Sequence, residues 1–462
     1  MRQDTSFQNA HKTPYWAETV ATTPTHPALH GDVTCDLAIV GGGFSGLWSA
    51  LMARDRFPDA RIVLLEADHL GNAASGRNGG FCAPSISHGV SNALSRWPDE
   101  AETLIRLGRQ NMNELEVDLG RFDIDAEFER PGKLNLAATP WEAEGLKTMQ
   151  TALTRFGIGT EYLEGAALRA RLNSPKYIAG LYETDYALLN PTKTVHGLAR
   201  SASDQGVEIH EHSAVTALSS HSDGITLNTR AGRVIARQVI LATNASVPLL
   251  KRLQSRIIPV FDYTLMTEPL SDAQLHAIGW TGRYGIADSG NQFHYSRKTA
   301  DNRILWGGYD AIYHRGNRRD AALLDRPESY ARLEANFRAT FPALGDVAFS
   351  HAWGGIIDTS ARLTFFVGTA MKGRLAYALG FTGQGVSATR FAALTMLDLL
   401  QGKQTERTQL RMARSWAPPF PPEPFRSLAV SWAQADLSRE DQTGQRSLFL
   451  KALDRLGIGF GS

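Results

Sequence analysis

The sequence has very little cysteine. Two cysteines, Cys35 and Cys82, in 462 residues are too few for a disulfide framework or a cysteine-based metal site. Such low cysteine use fits a reducing compartment, so we expect a cytoplasmic protein. We interpret both cysteines as small buried thiols. Because Cys82 lies next to a glycine cluster, covalent attachment of a cofactor to it is the alternative.

Long apolar segments and targeting signals are also missing. The longest apolar stretches, near residues 37–40 and 391–400, are far shorter than the roughly 18 to 20 residues that a membrane-spanning helix needs. Residues 1–30 contain no apolar core flanked by basic residues. We therefore expect neither a membrane span nor a secretory signal.

A strong net charge and a metal-binding pattern are absent as well. The net charge is +1, with 48 basic and 47 acidic residues, so the sequence predicts no nucleic-acid partner. Among 13 histidines, only His210 and His212 would share one strand face, which is weak support for a zinc site. We expect no metal, and no nucleophile elbow or P-loop is present.

Glycine, by contrast, is concentrated just after the first apolar strand. In "IVGGGFSG" the residues Gly41, Gly43 and Gly46 have the G-x-G-x-x-G spacing, with Phe44 and Ser45 opening a helix. This spacing allows a tight turn, close approach of main chain to a pyrophosphate and close packing of helix on strand. It predicts a dinucleotide site, with a purely structural turn as the alternative.

An acid follows at the position expected for a ribose contact. Glu66, followed by Ala67, ends the next apolar strand, "RIVLL". A carboxylate there accepts hydrogen bonds from both ribose hydroxyls and repels a 2′-phosphate. The acid therefore disfavours NADP and supports FAD or NAD.

Two further glycine clusters favour FAD over NAD. A flavin ring that extends away from the nucleotide needs main chain close along its length, whereas a plain NAD enzyme needs no second glycine-dense loop. The long helix after the third cluster would direct its dipole at the negative charge of a reduced flavin. The predicted contacts in these clusters are Ser75, Gly76, Arg77, Asn78, Gly79 and Gly80, and Gly380, Thr382, Gly383, Gln384 and Gly385.

The order of strand and helix patterns predicts two interleaved domains. Alternating strands and helices, typical of a Rossmann-like α/β sheet, recur at residues 33–95, 165–256 and 355–405, which we predict to form a discontinuous cofactor domain. Residues 96–164 and 257–354 are predicted to form an α+β substrate domain on a large mixed, mostly antiparallel sheet. Residues 1–32 are predicted to be a surface arm, and residues 406–462 a proline-rich extension that closes with a short amphipathic helix.

The combination of "VGGGFSGLWSA", "VLLEAD", "ASGRNGG", "VILATNA" and "GFTGQGVSATR" resembles the FAD-dependent oxidoreductases of the D-amino acid oxidase and glycine oxidase family. The resemblance covers residues 33–405. Within the family, "TPYW", "ASGRNGG" and "HAWGGIIDTS" are most similar to γ-glutamylputrescine oxidoreductase-like and aminophosphonate oxidoreductase-like proteins. It implies non-covalent FAD, oxidation of a carbon–nitrogen bond, and a contact of Val215 with the adenine side of the cofactor.

The substrate pocket is predicted where strands of the second domain face the flavin. No catalytic base is assigned, because oxidation of a neutral amine by a flavin requires mainly correct placement. Strand aromatics are more often core than pocket, and arginines are more often solvated. Arg362 is the strongest candidate, since "DTSARLTFF" is similar to an active-site segment of the family and a guanidinium suits a carboxylate or phosphonate. The candidates are Tyr263, His294, Tyr295, Arg297, Trp353 and Arg362.

These observations predict an FAD-dependent oxidoreductase that acts on a small amine or amino-acid-like compound, such as an aminophosphonate or a γ-glutamylputrescine-like amine. The imine product would be hydrolysed by water, and oxygen would reoxidise the flavin to give hydrogen peroxide. The alternatives are an N-demethylating oxidase of the sarcosine type, a flavoprotein subunit that passes electrons to a redox partner, and a catalytically idle FAD-binding protein. The oligomeric state is left open.

Overall fold

The computed structural model describes residues 6–21 and 25–459. Its strands are β1 (Gly31–Val40), β2 (Ile62–Leu65), β3 (Phe81–Cys82), β4 (Lys133–Ala137), β5 (Thr160–Glu164), β6 (Ala179–Glu183), β7 (Ala187–Leu188), β8 (Glu208–His210), β9 (Ala217–Ser220), β10 (Ile225–Asn228), β11 (Gly232–Leu241), β12 (Ile257–Thr267), β13 (Gly285–Asp288), β14 (His294–Lys298), β15 (Ile304–Gly308), β16 (Ile312–Tyr313), β17 (Phe349–Ser360), β18 (Phe366–Ala370) and β19 (Leu375–Leu379).

The α-helices are α1 (Phe44–Arg56), α2 (Ala74–Arg77), α3 (Gly89–Arg96), α4 (Ala101–Arg121), α5 (Pro140–Arg155), α6 (Gly165–Arg171), α7 (Pro191–Asp204), α8 (Asp272–Ala277), α9 (Pro327–Thr340), α10 (Gly385–Leu400), α11 (Glu406–Gln409), α12 (Arg411–Arg414), α13 (Phe425–Thr443) and α14 (Leu448–Arg455). Short 3-10 helices lie at Tyr15–Thr19, Pro98–Glu100, Lys251–Leu253, Ala321–Leu324, Pro342–Leu344 and Met371–Gly373.

The first sheet has the order β18-β19-β11-β1-β2-β8, with β10 beside β11 and β9 beside β10. Strands β8, β2, β1, β11 and β19 are parallel, whereas β18, β10 and β9 join in antiparallel fashion. The parallel strands are apolar on both faces, as "IVLL" in β2 shows, because helices α1 and α10 cover one face and a second apolar cluster covers the other. This arrangement confirms the predicted Rossmann-like cofactor sheet.

The second sheet has the order β16-β12-β15-β14-β13-β4-β6-β5, with β17 also paired to β12. Only the pairing of β13 with β4 is parallel within the described part of this sheet. One face packs against α9, where Phe261, Tyr263 and Trp306 meet Tyr330 and Phe337. The predicted mixed, mostly antiparallel sheet is confirmed, and its other face lies toward the cofactor domain.

Several segments lie elsewhere than their predicted domain. Strand β6 falls within residues 165–256 but belongs to the second sheet, and β17 extends beyond residue 354. Helix α4 falls within residues 96–164 but packs its apolar side against the core that contains α1 and α10. Amphipathic periodicity identifies such a helix without showing which of two cores its apolar side joins.

The predicted surface arm contributes to the core. Trp16 is only 1% exposed, and Phe7 packs in the core beneath α9. His11 forms a bridge with His351 at the edge of β17. Prolines alone do not keep such a segment on the surface, since buried aromatics hold it in place. Residues 1–5 and 22–24 of the predicted arm lie outside the described residues.

The C-terminal extension is more helical than the sequence predicts. Proline-rich chain ends at Pro424, and the 19-residue helix α13 begins at the next residue, within a segment expected to be irregular. Proline is tolerated at the start of a helix, so the prolines prevent helix formation only in the residues before α13. The predicted closing helix is present as α14, while residues 460–462 lie outside the described part. No helix among the described residues is long and apolar enough to cross a membrane.

Candidate cofactor and substrate site

The first glycine turn joins β1 to α1 with almost no clearance. Gly41 has φ +113°, and a Cβ atom there would collide with the carbonyl oxygen of Ala242. A Cβ atom on Gly46 would likewise collide with the Gly41 carbonyl. Helix α1 begins at Phe44 with no side-chain cap. The Phe44 N–H donates to Ser75 Oγ, and the other N–H groups of the first turn remain available to an anion such as a pyrophosphate.

Glu66 lies directly beside this turn, at the end of β2. Its Oε2 accepts a hydrogen bond from the Gly42 N–H at 2.6 Å, and its Oε1 accepts one from the Asp68 N–H at 3.0 Å. Burial raises the pKa of Glu66. Val215 lies near the same edge, because Ser213 donates its N–H to the Glu66 carbonyl at 2.7 Å. The ribose contact of Glu66 and the adenine contact of Val215 stay predictions, and both residues lie at this edge of the sheet.

The second glycine cluster is tied to the first turn. The Ser75 hydroxyl oxygen accepts from the Phe44 N–H at 2.9 Å. The Asn78 side chain closes its own turn, since Nδ2 donates to the Ala74 and Ser75 carbonyls and Oδ1 accepts from the Gly80 N–H, each at 2.9 Å. The loop is thus a preformed main-chain surface next to the N-terminus of α1.

Two buried tryptophans from outside this loop hold its main chain. Trp16 of the N-terminal arm donates Nε1–H to the Asn78 carbonyl at 2.8 Å, and Trp353 of β17 donates to the Arg77 carbonyl at 2.9 Å. Arg77 itself donates to the Gly354 carbonyl at 3.1 Å, so its side chain joins the second sheet. Trp353 therefore positions the loop, and it lies on the cofactor-facing side as predicted for a pocket residue.

The third glycine turn is organised by a buried acid that sequence reasoning missed. Gly380 and Gly383 both have φ +82°, and α10 begins two residues later at Gly385. Asp358 of β17 accepts from the N–H groups of Gly380 at 2.5 Å and Phe381 at 3.1 Å. Burial raises the pKa of Asp358 to about 7. An acid inside the apolar strand "GGIIDTS" is the signal that would have revealed it.

The residues present fit an FAD molecule. The glycine turns leave bare main chain where a Cβ atom would meet neighbouring backbone at Gly41, Gly46 and Gly76. Ser45 Oγ in the first turn of α1 and Gln384 Oε1 beside the third turn are buried without a hydrogen-bond partner among the described residues. Buried polar atoms normally have partners, so both atoms point to an absent ligand.

Strand alternation separates the predicted pocket residues into two groups. Tyr263 and His294 lie on the face that packs against α9: Tyr263 donates to the Leu323 carbonyl at 2.8 Å, and His294 stacks on Trp306 with centroids 4.3 Å apart. Burial lowers the pKa of His294 to about 4. These two side chains are core residues rather than pocket residues, because successive strand residues point to opposite faces.

Tyr295 lies on the opposite, cofactor-facing side. Its ring lies so close to Gly79 that a Cβ atom there would come within 2.8 Å of it, and it packs edge-on against Phe81. Its hydroxyl donates to Asp262 Oδ2 at 2.7 Å and lies 3.3 Å from Thr264 Oγ1. Burial raises the pKa of Asp262 to about 6 and that of Tyr295 well above its usual value. Asp262 was not predicted, although it too is an acid inside an apolar strand.

The two candidate arginines are occupied by main-chain carbonyls. Arg297 donates to the Leu189 carbonyl at 2.6 Å and lies over the Trp16 ring. Arg362 is 3% exposed and donates to the Ser415 carbonyl at 3.1 Å and the Met412 carbonyl at 2.8 Å. Burial lowers the pKa of Arg297 to about 10 and of Arg362 to about 9. The expected anion clamp at Arg362 is therefore not supported, because its Nη donors already fasten the C-terminal segment.

The strand on which the weak zinc pair was predicted ends at the first of its two histidines. Strand β8 ends at His210, whose Nδ1 lies 3.1 Å from the Pro27 carbonyl oxygen. His212 follows with φ +53° and packs edge-on against His69. The break in the strand removes the alternation on which the pairing depended.

Comparison with known proteins agrees with this geometry. Residues 36–399 match the family described as DAO, FAD dependent oxidoreductase. The chain is 29% identical over 398 residues to γ-glutamylputrescine oxidoreductase of Escherichia coli, covering 85% of this chain and 89% of that protein. It is 28% identical over 435 residues to probable oxidoreductase OrdL of Rhizobium meliloti, covering 90% and 96%.

The fold has solved counterparts as well. Glycine oxidase from Geobacillus kaustophilus superposes with a TM-score of 0.70 at 20% identity, covering 84% of this chain and 100% of that one. The predicted FAD cofactor and oxidoreductase class are confirmed by the family match, which spans most of the chain. The chain belongs to the DAO family of FAD-dependent oxidoreductases.

Proposed function

We propose that this enzyme oxidises the carbon–nitrogen bond of a small amine or amino-acid-like compound. FAD, when bound, supplies the acceptor for the hydride that leaves the carbon next to nitrogen. The observation that carries the proposal is the contact of Tyr295, with its partner Asp262, against Gly79 of the second glycine loop. Polar groups suited to an amine thus lie beside the main chain that fits the cofactor.

The substrate could carry an anionic end, as in an aminophosphonate or a γ-glutamylputrescine-like amine. The arginines offer little support for this. The side chain of Lys133 on β4 forms no hydrogen bond or ion pair among the described residues, although it lies opposite Glu183, whose negative charge acts on it. Its Nζ lies 5.3 Å from the centre of the Tyr186 ring, which contacts Phe81 in turn. Burial lowers the pKa of Lys133. An anionic substrate end would therefore meet Lys133 rather than Arg362.

The test is an anaerobic screen of the purified FAD-loaded protein. Primary and secondary amines, amino acids and aminophosphonates are added separately, and loss of flavin absorbance is followed. Bleaching by amines supports the proposal, and release of formaldehyde from an N-methyl substrate would identify the sarcosine-type alternative. A protein that no amine bleaches would contradict it.

A second candidate is a flavoprotein that passes electrons to a partner protein. The observation that favours it is a set of large apolar side chains exposed in the C-terminal extension, namely Trp416, Phe425, Leu428 and Trp432. Large contiguous apolar patches mark interaction surfaces, and these side chains are the candidates for one in the extension. Stoichiometric hydrogen peroxide on addition of substrate in air supports an oxidase, whereas flavin reduction without oxygen consumption supports the partner. A cytoplasmic location stays part of the proposal.

A further inference from the structure

The side chains that face the cofactor domain can be read from the register of the second sheet. Thr264 of β12 pairs with Gly307 of β15, and Gly307 pairs with Tyr295 of β14. Residues opposite each other share a face, so Thr264 and Tyr295 point the same way, as does Asp262 two residues before Thr264. The carboxylate and the phenol meet across the intervening strand because Gly307 has no side chain.

Bare main chain also lies beside Asp262 on the neighbouring strand. Its cross-strand neighbour on β17 is Gly355. A Cβ atom built on Gly355 would meet only the Cβ of Arg77, at 3.6 Å, which is ordinary contact. Asp262 is partly accessible, although Tyr263, the next residue, is fully buried in the opposite face. The carboxylate therefore lies on the side of the second sheet that is turned toward the second glycine loop, where Gly355 presents no side chain.

We propose that Asp262, oriented by Tyr295, binds the ammonium group of the substrate and accepts one of its protons. The inference rests on the proposed function and adds the substrate class: a compound recognised through a positively charged amine. It also assigns the group that converts the bound ammonium to the neutral amine needed for oxidation.

The Asp262 carboxylate accepts hydrogen bonds but is not paired with a cation among the described residues. Oδ2 accepts from the Tyr295 hydroxyl at 2.7 Å, and Oδ1 accepts from the Tyr263 N–H at 2.9 Å. No arginine, lysine or histidine forms an ion pair with it among the described residues. A carboxylate that is largely withdrawn from water and has no counter-charge is costly unless a ligand supplies one. A substrate ammonium would supply it.

The proton transfer is balanced within the pair. One N–H bond of the ammonium breaks, one O–H bond forms on Asp262, and the nitrogen keeps the electron pair. The raised pKa of about 6 suits this role, since the carboxylate is ionised at neutral pH yet more basic than an exposed one. The neutral amine can then lose hydride from the adjacent carbon.

Two other charged groups lie near Asp262: Asp310 and Arg77, and the Arg77 guanidinium donates to the Asn72 and Gly354 carbonyls. The Tyr295 hydroxyl donates to Asp262 from β14. Asp310, in the loop after β15, raises the pKa of Asp262 through its negative charge. Asp310 is itself paired with Arg326 and Arg332. We therefore expect a change in ligand affinity near pH 6 to reflect protonation of Asp262.

The test measures binding of tert-butylamine, which has no hydrogen on the carbon next to nitrogen and so is not oxidised. Its dissociation constant is determined by calorimetry on FAD-loaded wild type and on Asp262→Asn, Tyr295→Phe and Asp346→Asn. Asp346 is an exposed loop residue, so its variant changes net charge equally without touching the pocket. Flavin content and melting midpoint are recorded for each protein to show that it folds.

We expect Asp262→Asn to weaken binding by roughly 10- to 100-fold, as for loss of a hydrogen bond to a charged group, and Asp346→Asn to leave it unchanged. Wild-type binding should weaken as pH falls through about 6, whereas Asp262→Asn should bind independently of pH in this range. Tyr295→Phe should move the wild-type midpoint to higher pH, because the lost hydrogen bond favours the ionised carboxylate.

Equal affinity of wild type and Asp262→Asn, or an unmoved midpoint in Tyr295→Phe, would overturn the inference. If Asp262→Asn does not retain FAD, the midpoint shift in Tyr295→Phe decides. The outcome is separable from that of the proposed function. If binding depends on Asp262 but no amine bleaches the flavin, the recognition site stands and amine oxidation is refuted. If amines bleach the flavin but binding does not depend on Asp262, amine oxidation stands and the recognition site is refuted.

Discussion

The clearest stability prediction concerns Asp358, the acid that holds the third glycine turn. Burial raises its pKa from the usual 3.8 to about 7 in the folded protein. Between these two values the folded state binds a proton that the unfolded state does not, so stability rises as pH falls from 7 toward 4. At about 1.4 kcal/mol per pH unit, the full change is on the order of 4 kcal/mol.

The substitution Asp358→Asn removes this titration while keeping the shape of the side chain. We expect the melting midpoint of wild type, relative to Asp358→Asn, to rise progressively as the buffer is taken from pH 8 to pH 4. Comparing the two proteins at each pH cancels the titration of all other groups. Flavin content of the variant should also fall, because the Gly380 and Phe381 N–H groups lose a charged acceptor.

Asp398 of α10 offers a control of opposite sign. Burial alone would raise the pKa of Asp398, but the Thr405 hydroxyl and Arg407 lower it below its usual value. Its stabilisation is therefore present near neutral pH and lost as pH falls through the lowered pKa. Relative to Asp398→Asn, wild type should lose stability on acidification. Parallel pH trends for the two variants would refute the assignment of Asp358 as a buried acid of raised pKa.

Three further substitutions test the site. Glu66→Arg should lower flavin content at least several-fold, measured by absorbance after gel filtration, because a cation replaces the acid beside Gly42; unchanged content would remove the ribose assignment. Arg362→Ala should lower stability by about 2–4 kcal/mol, seen as a lower melting midpoint, while leaving half-saturation by an anionic amine unchanged. His294→Gln should leave half-saturation unchanged, since His294 packs under α9; a large rise would contradict that placement.

The cofactor half of the site could be predicted because its signals are local. Gly41, Gly46 and Glu66 lie within one strand–helix–strand unit, and steric limits on a turn depend on residues close in sequence. The second and third glycine clusters are equally local signals, and their contacts with FAD stay predictions. What these loops contact was not available locally: Trp16 reaches Asn78 from 62 residues away along the chain.

The substrate half was harder because it depends on which strand face meets which domain. Tyr263 and Tyr295 have the same sequence signal, an aromatic in a strand, yet they point to opposite faces of the sheet. Alternation alone would have placed His294 and Tyr295 on opposite faces. It would not have shown which of them faces the second glycine loop. Arg362 was misjudged because its partners, Met412 and Ser415, come from a segment whose position no motif predicts.

Buried acids within apolar strands carry more information about this site than the conspicuous basic and aromatic residues. Asp262 and Asp358 each interrupt an apolar run, and a charge in such a place must be compensated by donors or by a ligand. Asp358 is compensated by the main chain of the third glycine turn, so it organises the cofactor loop. Asp262 accepts from the Tyr295 hydroxyl and from main-chain N–H groups of Tyr263 and Gly308, has no ion pair among the described residues, and is partly accessible. Because the two acids differ in this respect, one belongs to the architecture of the site and the other is left for the substrate.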